Sequence, residues 1–152
     1  MRKLLSLLVL GIISCSNPSD EEGTYIPEDL GRREKIRYQQ YLVQGAQLYK
    51  TYCANCHGQN GEGIGKLYPP LAKSDYFTGD IPRSACIIKY GQEGEIIVNG
   101  IDYNMAMPAT EGLSAIEIAE ILTFTANSWG NETGFVNVRD VNEYLSECER
   151  NQ

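Results

Sequence analysis

The segment Cys53-Ala54-Asn55-Cys56-His57 concentrates the chemistry of this chain. Two thiols three residues apart near a helix end project to one side, and an imidazole follows directly. Three chemistries use such a pair. A redox-active dithiol normally sits at a helix N-terminus after a strand, where the dipole lowers the thiol pKa; here the pair follows a helical stretch. A structural zinc site needs a fourth ligand, which Cys86 or Cys148 must supply. The third is covalent attachment of haem c, each Cys forming a thioether and the next His ligating the iron. That reading uses all three residues.

His57 is the single His in the chain. A site built on two histidines is therefore excluded, whether a Cys2His2 finger, a HExxH protease or a bis-His haem. Any second axial ligand to iron must be another residue type. Of the three Met, Met1 leaves with the N-terminal signal described next. Met105 and Met107 remain as thioether donors, the other use of both being flexible core filling.

The chain opens with Met1-Arg2-Lys3 and an apolar run from Leu4 to Ile13. About 20 apolar residues are needed to span a bilayer, so residues 1–14 read as an export signal rather than a membrane helix. The run ends Ile12-Ile13-Ser14-Cys15, which resembles a bacterial lipobox with Cys15 as the lipidated first residue of the mature protein. Residues 16–31 are polar, acidic and Pro/Gly-containing. With Cys15 they form the expected tether, about 20–24 Å long as a random coil. Residues 32–152 make the folded domain with its C-terminal tail. Loss of Arg2 and Lys3 takes the net charge from −7 to −9. An acidic chain lacks the basic footprint of a nucleic-acid binder.

The positioning elements follow from local signals. From Arg32 the chain reads as a long helix, with Ile36, Leu42, Val43 and Ala46 on one face and Leu48, Tyr49 and Tyr52 continuing it. Gly45 inside it calls for a close helix–helix contact. A shorter helix runs from about Pro82 to Tyr90, started by Asp80 or Thr78 and ended by Gly91. Glu95–Val98, Asn99-Gly100 and Ile101–Tyr103 read as a tight hairpin. Ser114 and Glu117 have capping-box spacing, and Leu113 and Ile118 fit the accompanying staple. The helix they open carries Ile118, Ile121, Leu122 and Thr125 on its apolar face, with Trp129 near its end and Gly130 as its stop. Residues 137–149 suit one last short helix.

The stretch from Gln44 to Asn131 resembles class I cytochrome c of the bacterial monohaem type. The likeness rests on Gly45 to Tyr52 before the haem motif, on Gly58, Gly61 and Gly63 after it, and on Tyr68-Pro69-Pro70-Leu71, Val98-Asn99-Gly100 and Met107-Pro108. The resemblance implies an all-α cytochrome c fold. Its N- and C-terminal helices cross, and short helices and a small hairpin surround one covalent haem c. It implies that Gly45 and Tyr49 meet the C-terminal helix, with Phe124 across the contact. It implies that a proline carbonyl, assigned to Pro70, accepts a bond from His57, and that Met107 is the distal ligand. His/Met iron is six-coordinate with no site for substrate. The expectation is thus an electron carrier rather than an enzyme, with a subunit fixed in a larger oxidoreductase as the alternative.

Once Cys15, Cys53 and Cys56 are assigned, Cys86 and Cys148 remain of the five Cys, and an exported chain allows them to pair. Free thiols are the other outcome. Arg83, Tyr103 and Trp129 are donors available to haem propionates, Trp129 favoured, though each also suits an ordinary structural role. The expected partners are redox proteins, a membrane dehydrogenase, oxidase or reductase with a basic docking surface. The protein is expected as a monomer held to a membrane by its lipid, in the periplasm or cell envelope.

Overall fold

Gly45 decides how two helices of the domain meet. In this computed structural model, which describes residues 24–150 with side chains to Cys148, helix α1 spans Arg32–Tyr52 and helix α5 spans Ala115–Thr125. A Cβ built on Gly45 would lie 2.0 Å from the Glu120 carbonyl oxygen and 2.7 Å from Phe124 Cβ. The helices therefore cross backbone against backbone, which only glycine permits at that position. Gly45→Ala is expected to destabilise the haem-loaded domain by about 3 kcal/mol, at the upper end of overpacking costs. The thermal midpoint should fall by about 10 °C. Calorimetry against the parent protein checks it.

The buried face of α1 is Tyr38, Tyr41, Gly45 and Tyr49. This differs from the apolar face expected from the sequence. Ile36, Val43 and Tyr52 are about half exposed or more. The helix buries tyrosines because aromatic partners face them. Tyr38 and Tyr41 meet Phe135 edge-on, and Tyr49 meets Phe124 and Trp129 with centroids 5.7 and 5.0 Å away. Such tilted pairs add to the area they bury.

The chain is fastened ahead of α1. The Tyr25 N–H donates to the Asn127 carbonyl at 2.7 Å, and the Tyr38 hydroxyl donates to the Tyr25 carbonyl. Pro27 is buried. The last residues of the expected tether thus lie against the domain. The export signal, Cys15 and the acidic run Asp20-Glu21-Glu22 lie outside the described residues.

After α1 come α2 (Ala54–His57), α3 (Asp75–Thr78) and α4 (Ile81–Tyr90). Asp80 caps α4, its carboxylate accepting the Arg83 N–H at 2.9 Å, and Gly91 closes it. Strands β1 (Ile96–Val98) and β2 (Ile101–Tyr103) pair antiparallel, Ile96 opposite Tyr103 and Val98 opposite Ile101. Asn99 and Gly100 both have positive φ, as a two-residue primed turn requires. The Asn99 N–H donates to the Asp75 carboxylate at 2.7 Å and the Asp75 N–H to the Asn99 side-chain oxygen at 3.0 Å, which docks the hairpin tip on α3.

Helix α5 starts where its cap predicts. The Glu117 carboxylate accepts both the N–H and the hydroxyl of Ser114, at 2.8 and 2.6 Å. Those bonds hold the Glu117 carboxyl below its usual range. The helix stops at Thr125, earlier than the Gly130 stop expected from the sequence. Asn127 is the reason. Its buried amide donates to the Thr123 and Gly134 carbonyls at 2.7 Å and accepts the Gly134 N–H, giving the chain a turn in place of another helical one. Helix α6 (Val138–Arg150) then packs against α4 and α5. Cys86 on α4 and Cys148 on α6 are joined by a disulfide. Among the described residues no helix is long and apolar enough to cross a membrane.

The candidate haem site

Cys53 closes α1 and starts α2, so both thiols and His57 sit on one tight turn. The His57 N–H donates to the Cys53 carbonyl at 2.9 Å, and the Gly58 N–H donates to that of Ala54 at 3.0 Å. The three side chains open into one cleft. Its other lining residues include Leu71 and Phe77, Ile87 and Ile88, Ile96 and Val98, Tyr103, and Met105 to Pro108, with Ile121, Leu122 and Thr125 from α5. The cleft holds about 990 Å³ of empty space, counting its open mouth.

His57 is nearly buried. Burial pushes its imidazole pKa below the ordinary value, and a hydrogen bond from Nδ1 to the Pro69 carbonyl at 2.9 Å opposes that shift. The acceptor is a carbonyl, so Nδ1 carries the proton and Nε2 keeps its lone pair. A neutral ring with an oriented lone pair is the form a metal takes. The carbonyl is that of Pro69 rather than Pro70, the residue assigned from the sequence. Backbone bonds from Ile64 N–H to Tyr68 at 2.9 Å and from Leu71 N–H to Gly61 at 2.8 Å fix the strip.

Cys53 is not an activated thiol. Burial, and then the neighbouring Cys56, push its pKa up to about 12. A dithiol oxidoreductase needs the reverse. The zinc reading loses its fourth ligand, because Cys86 and Cys148 are bonded to each other. Among the described residues no cluster of three or more His, Cys, Asp or Glu is arranged to hold a metal ion. Two thiols, one oriented imidazole and a thioether sharing a mostly apolar cleft fit haem c. Cys53 and Cys56 would hold its vinyl positions, and His57 and a methionine its iron.

Both methionines line the cleft, but they are held differently. Met105 is 48% exposed. Met107 exchanges two backbone hydrogen bonds with Gln92, each 2.9 Å. Gly91, with φ +85°, packs so closely that a Cβ there would lie 2.7 Å from the Met107 carbonyl oxygen.

A sequence model of the cytochrome c family matches residues 42–129. The chain belongs to the cytochrome c family. Cytochrome c-552 of Thermus thermophilus is 38% identical over 93 residues, which cover 59% of this chain and 70% of that protein. The cytochrome c subunit of the quinone alcohol dehydrogenase of Gluconacetobacter polyoxogenes is 34% identical over 103 residues. That match covers 65% of this chain and 22% of the subunit. The corresponding subunit of Gluconobacter oxydans strain 621H is 34% identical over 101 residues, 64% of this chain and 21% of the subunit. The chain thus spans about a fifth of those subunits' length. Electron transfer through covalently bound haem c is the function that membership in the cytochrome c family carries.

The remaining residues singled out from the sequence divide. Tyr103 lines the cleft, its hydroxyl donating to the Gly65 carbonyl at 3.3 Å. Trp129 is not among the lining residues. It packs against Tyr49 and Phe124, with its ring over Gly61, because its positive φ turns it back toward the α1–α5 crossing. Arg83 is likewise not among them. Its guanidinium stacks on the Tyr76 ring at 3.9 Å, donates to the Tyr76 carbonyl and pairs with Asp80 at 3.6 Å.

The sequence reading missed Asn131. Its amide donates to the Leu71 and Thr125 carbonyls, both at 2.9 Å, and its oxygen accepts the Lys73 N–H at 2.8 Å. Asn131 thereby clamps the strip that carries Pro69 onto the end of α5. Its place directly after Gly130 was the available signal, since Asn beside Gly marks a turn that its side chain bonds.

Proposed function

We propose that this chain is a membrane-anchored electron carrier with one covalent haem c, held through Cys53 and Cys56, with His57 and Met107 as its axial ligands. The observation that carries the reading is the single apolar cleft shared by those four side chains. When bound, haem c supplies a one-electron couple. The chain's own groups do the rest. Pro69 orients the imidazole and fixes its tautomer. The Gln92 bridge holds the Met107 backbone in place, and the apolar lining keeps water out. A thioether ligand and a dry site both favour a raised potential. With His57 and Met107 both holding the iron, substrate would find no place on the metal, so the reading is a carrier and not an enzyme.

The Ile12-Ile13-Ser14-Cys15 segment supports export and lipidation at Cys15, the acidic stretch after it linking the domain to a membrane of the cell envelope. The negative charge suits redox partners with basic docking surfaces, a membrane dehydrogenase, oxidase or reductase, met by a monomeric shuttle. The likeness to cytochrome c subunits of quinone alcohol dehydrogenases favours a second reading, a subunit fixed in a larger oxidoreductase. Stable co-purification with such a complex separates the two.

Haem staining after denaturation tests the attachment. The wild-type band is expected to stain, and Cys53→Ser/Cys56→Ser to lose the stain entirely. A wild-type chain exported and matured without stain would overturn the reading.

A further inference from the structure

Thr125 is a polar group of the cleft that the protein leaves without a partner. It closes α5, is 1% exposed and lines the cleft. Its buried Oγ1 has no hydrogen-bond partner among the described residues. Other polar groups of the lining are used within the protein. Ser74 Oγ accepts the Phe77 N–H at 3.1 Å, Ser84 donates to the Asp80 carbonyl at 3.0 Å, and Tyr103 donates to Gly65.

A helical threonine commonly returns its hydroxyl to the carbonyl one turn back. Thr125 does not. Two residues earlier, Thr123 gives its own hydroxyl to the Val136 carbonyl at 2.9 Å. Valine has the shape of threonine and carries no hydroxyl to desolvate. An unmatched hydroxyl in an apolar wall therefore costs stability unless the occupant of the cleft uses it. Asn131 bonds the carbonyls of Thr125 and Leu71 together, so Thr125 flanks the strip whose Pro69 holds His57.

We propose that Thr125 sets the reduction potential, its hydroxyl donating toward the electron-rich group that fills the cleft and so favouring the reduced state. The proposal rests on the haem reading above. A donor in a low-dielectric site acts more strongly than in water, and hydrogen bonding and burial around a haem are established levers on its potential.

Potentiometric titration of the haem-loaded wild type, Thr125→Val and Thr125→Ser tests it. Thr125→Val should shift the redox equilibrium about tenfold toward the oxidised form, 59 mV for one electron. Thr125→Ser, which keeps the hydroxyl, should stay near wild type. Thr125→Ala carries the same expectation as valine with a smaller side chain. The sulfur-to-iron absorption band, present in all variants, would show the methionine ligand unchanged. A valine variant with unchanged or raised potential overturns the proposal, as does a serine variant that matches valine. In either case a wild type that stains for haem leaves the haem reading standing. A wild type without covalent haem removes both.

Discussion

Replacing Cys86 and Cys148 together with alanine is expected to lower the unfolding free energy by about 4 kcal/mol. The bridge closes a loop of 62 residues, and the chain entropy it removes from the unfolded state grows with that length. The structural reason is α6. The match to the cytochrome c family ends at residue 129, and α6 lies beyond it. Val141 on α6 is fully buried, and Tyr144 and Leu145 pack on the same core. The disulfide fastens α6 to α4, whose Ile87 and Ile88 line the cleft. Urea unfolding of the oxidised wild type and the double alanine variant reads the loss. Faster amide exchange along α6 should accompany it. Coincident urea transitions would contradict the assignment.

That bridge was legible in the sequence by subtraction, once three of the five Cys were assigned other uses. The caps were legible for a different reason. Ser114 with Glu117, Asp80 before α4, and Asn99-Gly100 are local signals whose partners lie within three residues, so no tertiary knowledge is needed. The Cys53–His57 segment is of the same kind.

What was not legible depended on partners distant in sequence. The buried face of α1 reads poorly because tyrosines score as half-polar, and only Phe135, Phe124 and Trp129 reveal which side they serve. Pro69 and Pro70 are indistinguishable to a sequence reader. The choice between them was made by backbone bonds between Gly61, Ile64, Tyr68 and Leu71. Trp129 had an ordinary structural role open to it beside that of a cofactor donor; its positive φ, invisible in the sequence, sets its ring over Gly61 and outside the cleft lining. The end of α5 moved for a similar reason, since Asn127 bonds to Gly134, seven residues away.

Met107→Ala should change the metal's properties more than any other substitution that leaves the covalent attachment intact. The expected result is loss of the sulfur-to-iron band, a fall in potential well beyond tenfold in the redox equilibrium, more than 59 mV, and new binding of carbon monoxide or cyanide. The direction follows from the ligand, because a thioether favours the reduced metal and its loss opens a coordination site. Geometry distinguishes the two methionines. Met107 is held by paired backbone bonds to Gln92 and by the close approach of Gly91, whereas Met105 is half exposed. A sulfur held by a fixed backbone needs little rearrangement when an electron arrives, and small rearrangement makes transfer fast. Met105→Ala is therefore expected to keep the band. If the band survives in Met107→Ala and disappears in Met105→Ala, the ligand is Met105 and the Gln92 bridge serves only the loop. Cys53, Cys56 and His57 are untouched in both variants, so haem stain should persist. Loss of the band then reports the axial ligand alone, and separates a closed carrier from a metal open to small molecules.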